Sequence, residues 1–274
     1  MNSRGRFWGW LLGAAVVVSL LAGGTYAFQL PQRLLDILSQ AEDDDVPQLP
    51  VAPPDQFGYV FARLAFAPSD PRAMRGHAWT TDYPKADRQF LLGVLRYTRI
   101  QARRQEQVVR PLDPKLFDLP FLYAVEVGYC YFSEDEAARL REYLERGGFL
   151  VVDDFHGTRE WENFEQQIRK VFPNRPIREV ELSDPIFHSF YDITEKIQVP
   201  GLQYLYTGRK YEQDGYEAHY RAIYDDNGRI MVMINFNVDL GDAWEWADLP
   251  QYAEVYTATA YRLGVNYIVY SMTH

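Results

Sequence analysis

The chain has 274 residues, 47% hydrophobic and 24% charged, a composition that excludes general disorder and allows one large domain or two small ones. Its 28 Lys and Arg stand against 38 Asp and Glu, a net charge of −10, so affinity built on neutralised phosphates, and with it a nucleic-acid partner, is not expected. A single cysteine, Cys130, excludes an intrachain disulfide and any multi-Cys zinc site.

Arg4 and Arg6 precede an uncharged stretch from Phe7 to Ala27, whose centre, Leu11 to Leu21, has the composition of a signal-peptide core. The stretch also reaches the roughly 20 residues of a membrane span. Residues 1–27 therefore read as a signal anchor, slightly preferred, or a cleaved signal peptide. The basic end stays in the cytoplasm, which puts the rest of the chain on the periplasmic side of the inner membrane, tethered by an N-terminal hydrophobic helix. Residues 28–56 begin with a juxtamembrane helical pattern (Leu30, Leu34, Leu35, Leu38). They continue through Glu42 to Asp45 and Pro47, Pro50, Pro53 and Pro54, an extended acidic linker. The folded domain is expected over residues 57–274.

Phe57 to Phe66 is β-branched and aromatic and predicts a first strand. Thr81 or Asp82 can cap a helix with Pro84 in its first turn, and Phe90, Leu91, Val94, Leu95 and Thr98 follow at helical spacing. Phe121 to Val127 predicts a strand. Ser133 with Glu136 makes a capping box for a helix with Leu140, Tyr143 and Leu144 inward, stopped by Gly147-Gly148. Phe149 to Asp153 is a nearly all-apolar strand, as a parallel sheet covered on both faces requires. The strand–helix–strand run is a βαβ unit. Thr158 begins the next helix, with Trp161, Phe164, Ile168 and Val171 inward. Ala218 to Tyr224 and Arg229 to Phe236 predict a hairpin around Asp225-Asp226-Asn227-Gly228. Tyr256, Ala260, Leu263, Tyr267 and Tyr270 form a helical stripe, but the β-branched end of that segment leaves helix and strand both open. The fold class is α/β: an open, mostly parallel sheet with helices on both faces and an antiparallel addition near the C-terminus.

The run from Leu140 through Gly147-Gly148 to Asp153-Asp154 and Gly157 resembles the class I glutamine-amidotransferase-like fold. Together with Trp79, Asp82-Tyr83-Pro84, and Asn237 with Asp239 and Gly241-Asp242, it makes the chain similar to the bacterial family known as domain of unknown function 4159, from about Phe57 to the C-terminus. That resemblance implies a flavodoxin-like sheet and often a membrane anchor, but no activity. In active amidotransferases the strand after the Gly-Gly turn delivers a cysteine nucleophile. Here the turn reads Asp153-Asp154-Phe155-His156-Gly157. Cys130, flanked by Tyr129, Tyr131 and Phe132, reads as a small buried hydrophobe, so glutamine hydrolysis through cysteine is discarded.

Asp153, Asp154 and His156 fall at the carboxyl end of a strand, where open α/β sheets bind ligands. They read either as metal ligands and acid–base groups or as caps of the following helix. In Asn235 to Asp242, Asn235, Asn237 and Asp239 alternate with apolar residues, an oxygen-only set suited to Ca²⁺ or Mg²⁺, or an Asx-rich turn. Asp82 is a helix cap or a third rim residue. His77, His188 and His219 have no ligand spacing and read as solitary.

The sequence favours a non-catalytic, membrane-tethered periplasmic binding or scaffolding module without a cofactor. Its partner would be an envelope protein or a cell-wall glycan, met at Asp82, Asp153, Asp154, His156, Asn237, Asp239 and Asp242. The alternative is a divalent-metal-dependent hydrolase of an envelope carbohydrate, with Ca or Mg held by Asp153, Asp154 and Asp239 and His156 as base. It requires carboxylates of the two clusters to converge. A purely structural envelope component is a third reading, and it needs no occupied pocket.

Overall fold

A computed structural model of the chain describes residues 58–70 and 78–274; the expected signal segment, the whole of the linker and His77 lie outside them. Among the described residues no helix is long and apolar enough to cross a membrane.

The first parallel strand is β1 (Ala62–Leu64), shorter than the apolar run around it because Ala67–Pro68 (β2) turns away to pair antiparallel with Cys130–Tyr131 (β5). Then come α1 (Lys85–Tyr97), β3 (Gln107–Val109) and β4 (Phe121–Val125). The βαβ unit continues through α2 (Glu134–Glu145) into β6 (Phe149–Asp153), with the Ser133–Glu136 capping box formed in both directions. After α3 (Gly157–Val171), a short edge strand β7 (Ile177–Glu179) and one helical turn, α4 (Tyr204–Thr207), lead to the hairpin β8 (His219–Tyr224) and β9 (Ile230–Phe236). The chain closes with α5 (Leu240–Glu245) and α6 (Glu254–Thr273).

The sheet order is β3-β1-β4-β6-β9-β8-β7. The first five of these strands run parallel, and β8 and β7 add on antiparallel. Numbered by sequence, the parallel strands stand in the order 2-1-3-4-5, one of the two common doubly wound arrangements, whose ligands bind beyond the carboxyl ends of the strands.

Strand alternation divides the core in two. Phe61, Tyr123, Val151 and Met233 face α1, α5 and α6, while Ala62, Leu122, Val152 and Ile234 face α2 and α3. On the first face Trp244 stacks on Phe90 at 4.3 Å, and Gly264 of α6 lies against both rings, where a Cβ would come within 2.6 Å of Phe90. That close approach seats α6 on the sheet. The segment is helical to its end, and it is buried on most of its circumference: Val265 and Ile268 are covered as well as the stripe from Tyr256 to Tyr270.

α1 departs from expectation at its start. Pro84 takes the N-cap position and no side chain caps the helix, so neither Thr81 nor Asp82 is the cap. This frees Asp82 for another role.

Candidate metal centre

The carboxyl ends of the parallel strands are built from residues in an unusual backbone state. Glu126 follows β4 at φ 55, Asp154 follows β6 at φ 52, Asn237 follows β9 at φ 61, and Asp82 precedes α1 at φ 60. Each left-handed non-glycine residue costs about 1 kcal/mol or more, and such strain gathers at functional sites. Three of these elbows are tied by backbone hydrogen bonds: Glu126 N–H to Asp154 O, Asp154 N–H to Val238 O, and Asn237 N–H to Phe155 O, each 3.0 Å.

Beyond these elbows one carboxylate oxygen from each of Asp82, Asp239 and Asp242 lies within 4.8 Å of the other two. Ligands about 2.4 Å from a Ca²⁺ ion lie at most about 4.8 Å apart, so the three oxygens can share one hard cation. Asp239 is set by local folding: it is the N-cap of α5, and its Oδ1 accepts from Asp242 N–H at 2.7 Å. Asp242 is fixed by donors from Trp246 Nε1 at 3.0 Å and Leu202 N–H at 2.5 Å. Asp82 Oδ2 is buried and has no hydrogen-bond partner. Two glycines make room for the group. A Cβ on Gly201 would meet Asp239 Oδ2 at 2.7 Å and Asp242 Oδ2 at 2.9 Å, and one on Gly241 would collide with Asp82 Oδ2.

The electrostatics are one-sided. Burial holds the Asp82 carboxyl well above the usual range, Asp242, Asp154 and Glu245 add to the shift, and Arg63 opposes it. Asp239 is raised in the same way, by burial and then by Asp154, Asp242, Asp82 and Asp153. Glu245 is pushed up to about 7 by burial and Asp242. A divalent cation bound among these groups would favour their charged forms.

Of the ligand trio expected from the sequence, Asp153, Asp154 and Asp239, only Asp239 is in the mutually close set. Asp153 Oδ2 accepts from Tyr123 OH at 2.7 Å and from Leu240 N–H at 2.8 Å. It thereby braces the start of α5, and burial raises it to about 7 against the Tyr123 bond. Asp154 Oδ1 lies 3.2 Å from His156 Nε2. Burial and Glu126 push Asp154 up to about 7, while His156 pulls it down. Burial works to lower His156, but the Asp154 bond, Glu212 and Glu160 outweigh it and carry the ring to about 9. A ring raised in this way favours its protonated form, in which both nitrogens donate.

Neither Asp154 nor His156 caps α3. His156 occupies the N-cap position without a side-chain bond. The helix start is instead capped from a distance: Asn237 Oδ1 accepts from Gly157 N–H at 2.9 Å and Asp214 Oδ1 from Thr158 N–H at 2.8 Å. Asn237 also donates to Glu217 O at 2.7 Å, so its carboxamide is engaged as a brace. Asn235 faces α6, where Tyr267 OH donates to it at 2.9 Å. The polar alternation of that strand therefore does not line one face of the site.

Cys130 lies wholly buried in β5, and burial pushes its thiol up. His188 bonds Asp192 and Leu182 O, and His219 bonds Glu179. Sequence reasoning missed Arg63, Glu126 and Glu245. Arg63 and Glu126 had a signal, being the charged residues within otherwise apolar strand runs.

No curated protein matches this sequence. The profile of the domain of unknown function DUF4159 matches residues 60–272, most of the chain and all of the elements that build the carboxylate cluster, and the chain belongs to that family.

Proposed function

We propose that this protein is a divalent-cation-dependent hydrolase on an amidotransferase-like, flavodoxin-like scaffold, with Asp82, Asp239 and Asp242 holding Ca²⁺ or Mg²⁺ and the Asp154–His156 pair supplying a proton. The observation that carries this reading is the convergence of three carboxylates, one with an unpartnered buried oxygen, at the carboxyl ends of a parallel sheet. The cation would polarise a substrate oxygen and offset the acidic charge around it. His156, protonated and oriented by Asp154, would donate to the leaving oxygen. Strain at four neighbouring backbone positions further supports catalysis. The substrate class that fits the expected export and tether through residues 1–27 is a cell-wall or other envelope carbohydrate.

A second reading keeps the cation and drops the turnover: a binding or scaffolding module whose partner is an envelope protein or glycan. The enclosure of His156, 4% exposed, favours it, because a proton donor closed off from solvent has to be uncovered before it reaches a substrate. The two readings separate in one assay, which incubates the protein with envelope polysaccharides in Ca²⁺ or Mg²⁺ or in chelator and measures bound glycan and released reducing ends. Cation-dependent release that Asp239→Asn abolishes supports the hydrolase. Cation-dependent binding without release supports the module, and neither binding nor release contradicts both.

A further inference from the structure

Among the described residues Arg63 is the largest charged side chain wholly removed from water, and it sits in the middle of β1. Its Nε and Nη2 grip the Asp87 carboxylate of α1, with Nε 3.1 and 3.0 Å from the two oxygens. Its Nη1 points the other way and donates to two backbone carbonyls, Trp79 O at 3.1 Å and Thr81 O at 2.8 Å. The guanidinium carbon also lies 5.8 Å from the centre of the Tyr83 ring and 5.3 Å from that of Tyr123. Residues 81 and 83 flank Asp82, so one side chain holds the chain on both sides of the left-handed residue whose Oδ2 has no partner.

We propose that Arg63 is the positioning residue of the cation site: it pins the Trp79–Tyr83 turn, and so fixes Asp82 Oδ2 against Asp239 and Asp242. This rests on the cation reading above. The chemistry suits the task, because a planar guanidinium has donors enough to bind a carboxylate in a fork and still serve two carbonyls, which an ammonium does not. A lone buried cation beside a metal site would repel the metal. Here Asp87 neutralises it, so the turn is held at little electrostatic cost to the neighbouring ion. Lys85 is no substitute, since it lies over Trp246 and near Asp248.

The test uses the double variant R63M/D87L, which removes the ion pair without leaving either charge buried alone and so retains the fold, with R63K as the conservative comparison. Two readouts are taken: amide hydrogen exchange of residues 78–83 in chelator, and Ca²⁺ and Mg²⁺ affinity by calorimetry. R63M/D87L is expected to speed exchange in that segment at least tenfold and to weaken cation binding at least tenfold, with R63K between it and wild type. Unchanged exchange overturns the inference alone, as does faster exchange with cation affinity within threefold of wild type. A wild-type protein that binds none of the cations overturns the cation reading and, with it, this role for Arg63.

Discussion

His156 Nε2 and Asp154 Oδ1 lie 3.2 Å apart inside a ring of acidic groups, and both residues are buried. The protons held there give stability an unusual pH dependence. Asp153, Asp154 and Glu245 are raised to about 7, whereas an unfolded chain releases these protons near pH 4. Between about pH 4 and 7 the folded protein therefore binds more protons than the unfolded one, and stability falls as pH rises. His156, raised to about 9, adds stability that is full below about pH 6.5 and lost as pH climbs through 9. The two trends have the same sign. Calorimetric melting in chelator should show Tm falling steadily from pH 5 through 7 to 9; a Tm that rises between pH 5 and 7 would contradict the charge arrangement.

Tyr123 ties the sheet to the site through its hydroxyl, which donates to Asp153 Oδ2. Tyr123→Phe removes one of the two donors that hold that oxygen and leaves Leu240 N–H as the other. The expected loss is about 1–3 kcal/mol, because a buried acceptor loses a partner. It should be larger at pH 8, where Asp153 is ionised, than at pH 5. Urea unfolding at the two pH values measures both quantities.

Gly201 and Gly241 keep the space between the carboxylates open. Gly241→Ala is a favourable change for helix propensity, so any loss traces to the contacts of the added methyl, first with Asp82 and, less closely, with the Tyr123 hydroxyl. The expected outcome is at least a tenfold loss of cation affinity, with a stability cost of about 1–3 kcal/mol from overpacking. Calorimetric titration and melting of the same variant check it.

The sequence carried the local structure well and the site only in outline. Ser133 and Glu136 make their reciprocal bonds within one turn, and the Asp225–Gly228 hairpin is similarly self-contained, so both were legible. The acidic groups at strand ends were legible as clusters too. Which members meet was not, because that depends on backbone turns and distant partners. Asn235 points to Tyr267, Asn237 is drawn to Gly157, and Asp82 crosses from a loop to the start of α5. Arg63 finds its partners 16 to 24 residues away, with nothing in its immediate neighbours to announce them.

Cys130 belongs to the core. A buried thiol with a raised pKa is a poor nucleophile, so the native protein should not react with a thiol reagent until it is unfolded in urea. Cys130→Ala should leave any cation-dependent activity intact while lowering stability by about 1–2 kcal/mol. Rapid labelling of the folded protein, or an activity lost with the thiol, would revive a cysteine mechanism.

A cation bound by Asp82, Asp239 and Asp242 is tested cleanly by Asp239→Asn. Asparagine preserves the cap of α5 and relieves repulsion among the neighbouring carboxylates. The decisive measurement is the melting temperature of wild type and Asp239→Asn in chelator and at saturating Ca²⁺ or Mg²⁺. A ligand at a hundred times its Kd adds about 2.7 kcal/mol, a rise of roughly 5–11 °C for a domain of this size. That rise is expected for wild type, and for Asp239→Asn a higher Tm in chelator with little further gain from the cation. A wild type indifferent to Ca²⁺, Mg²⁺ and Mn²⁺, or a variant that gains as much as wild type, would contradict it.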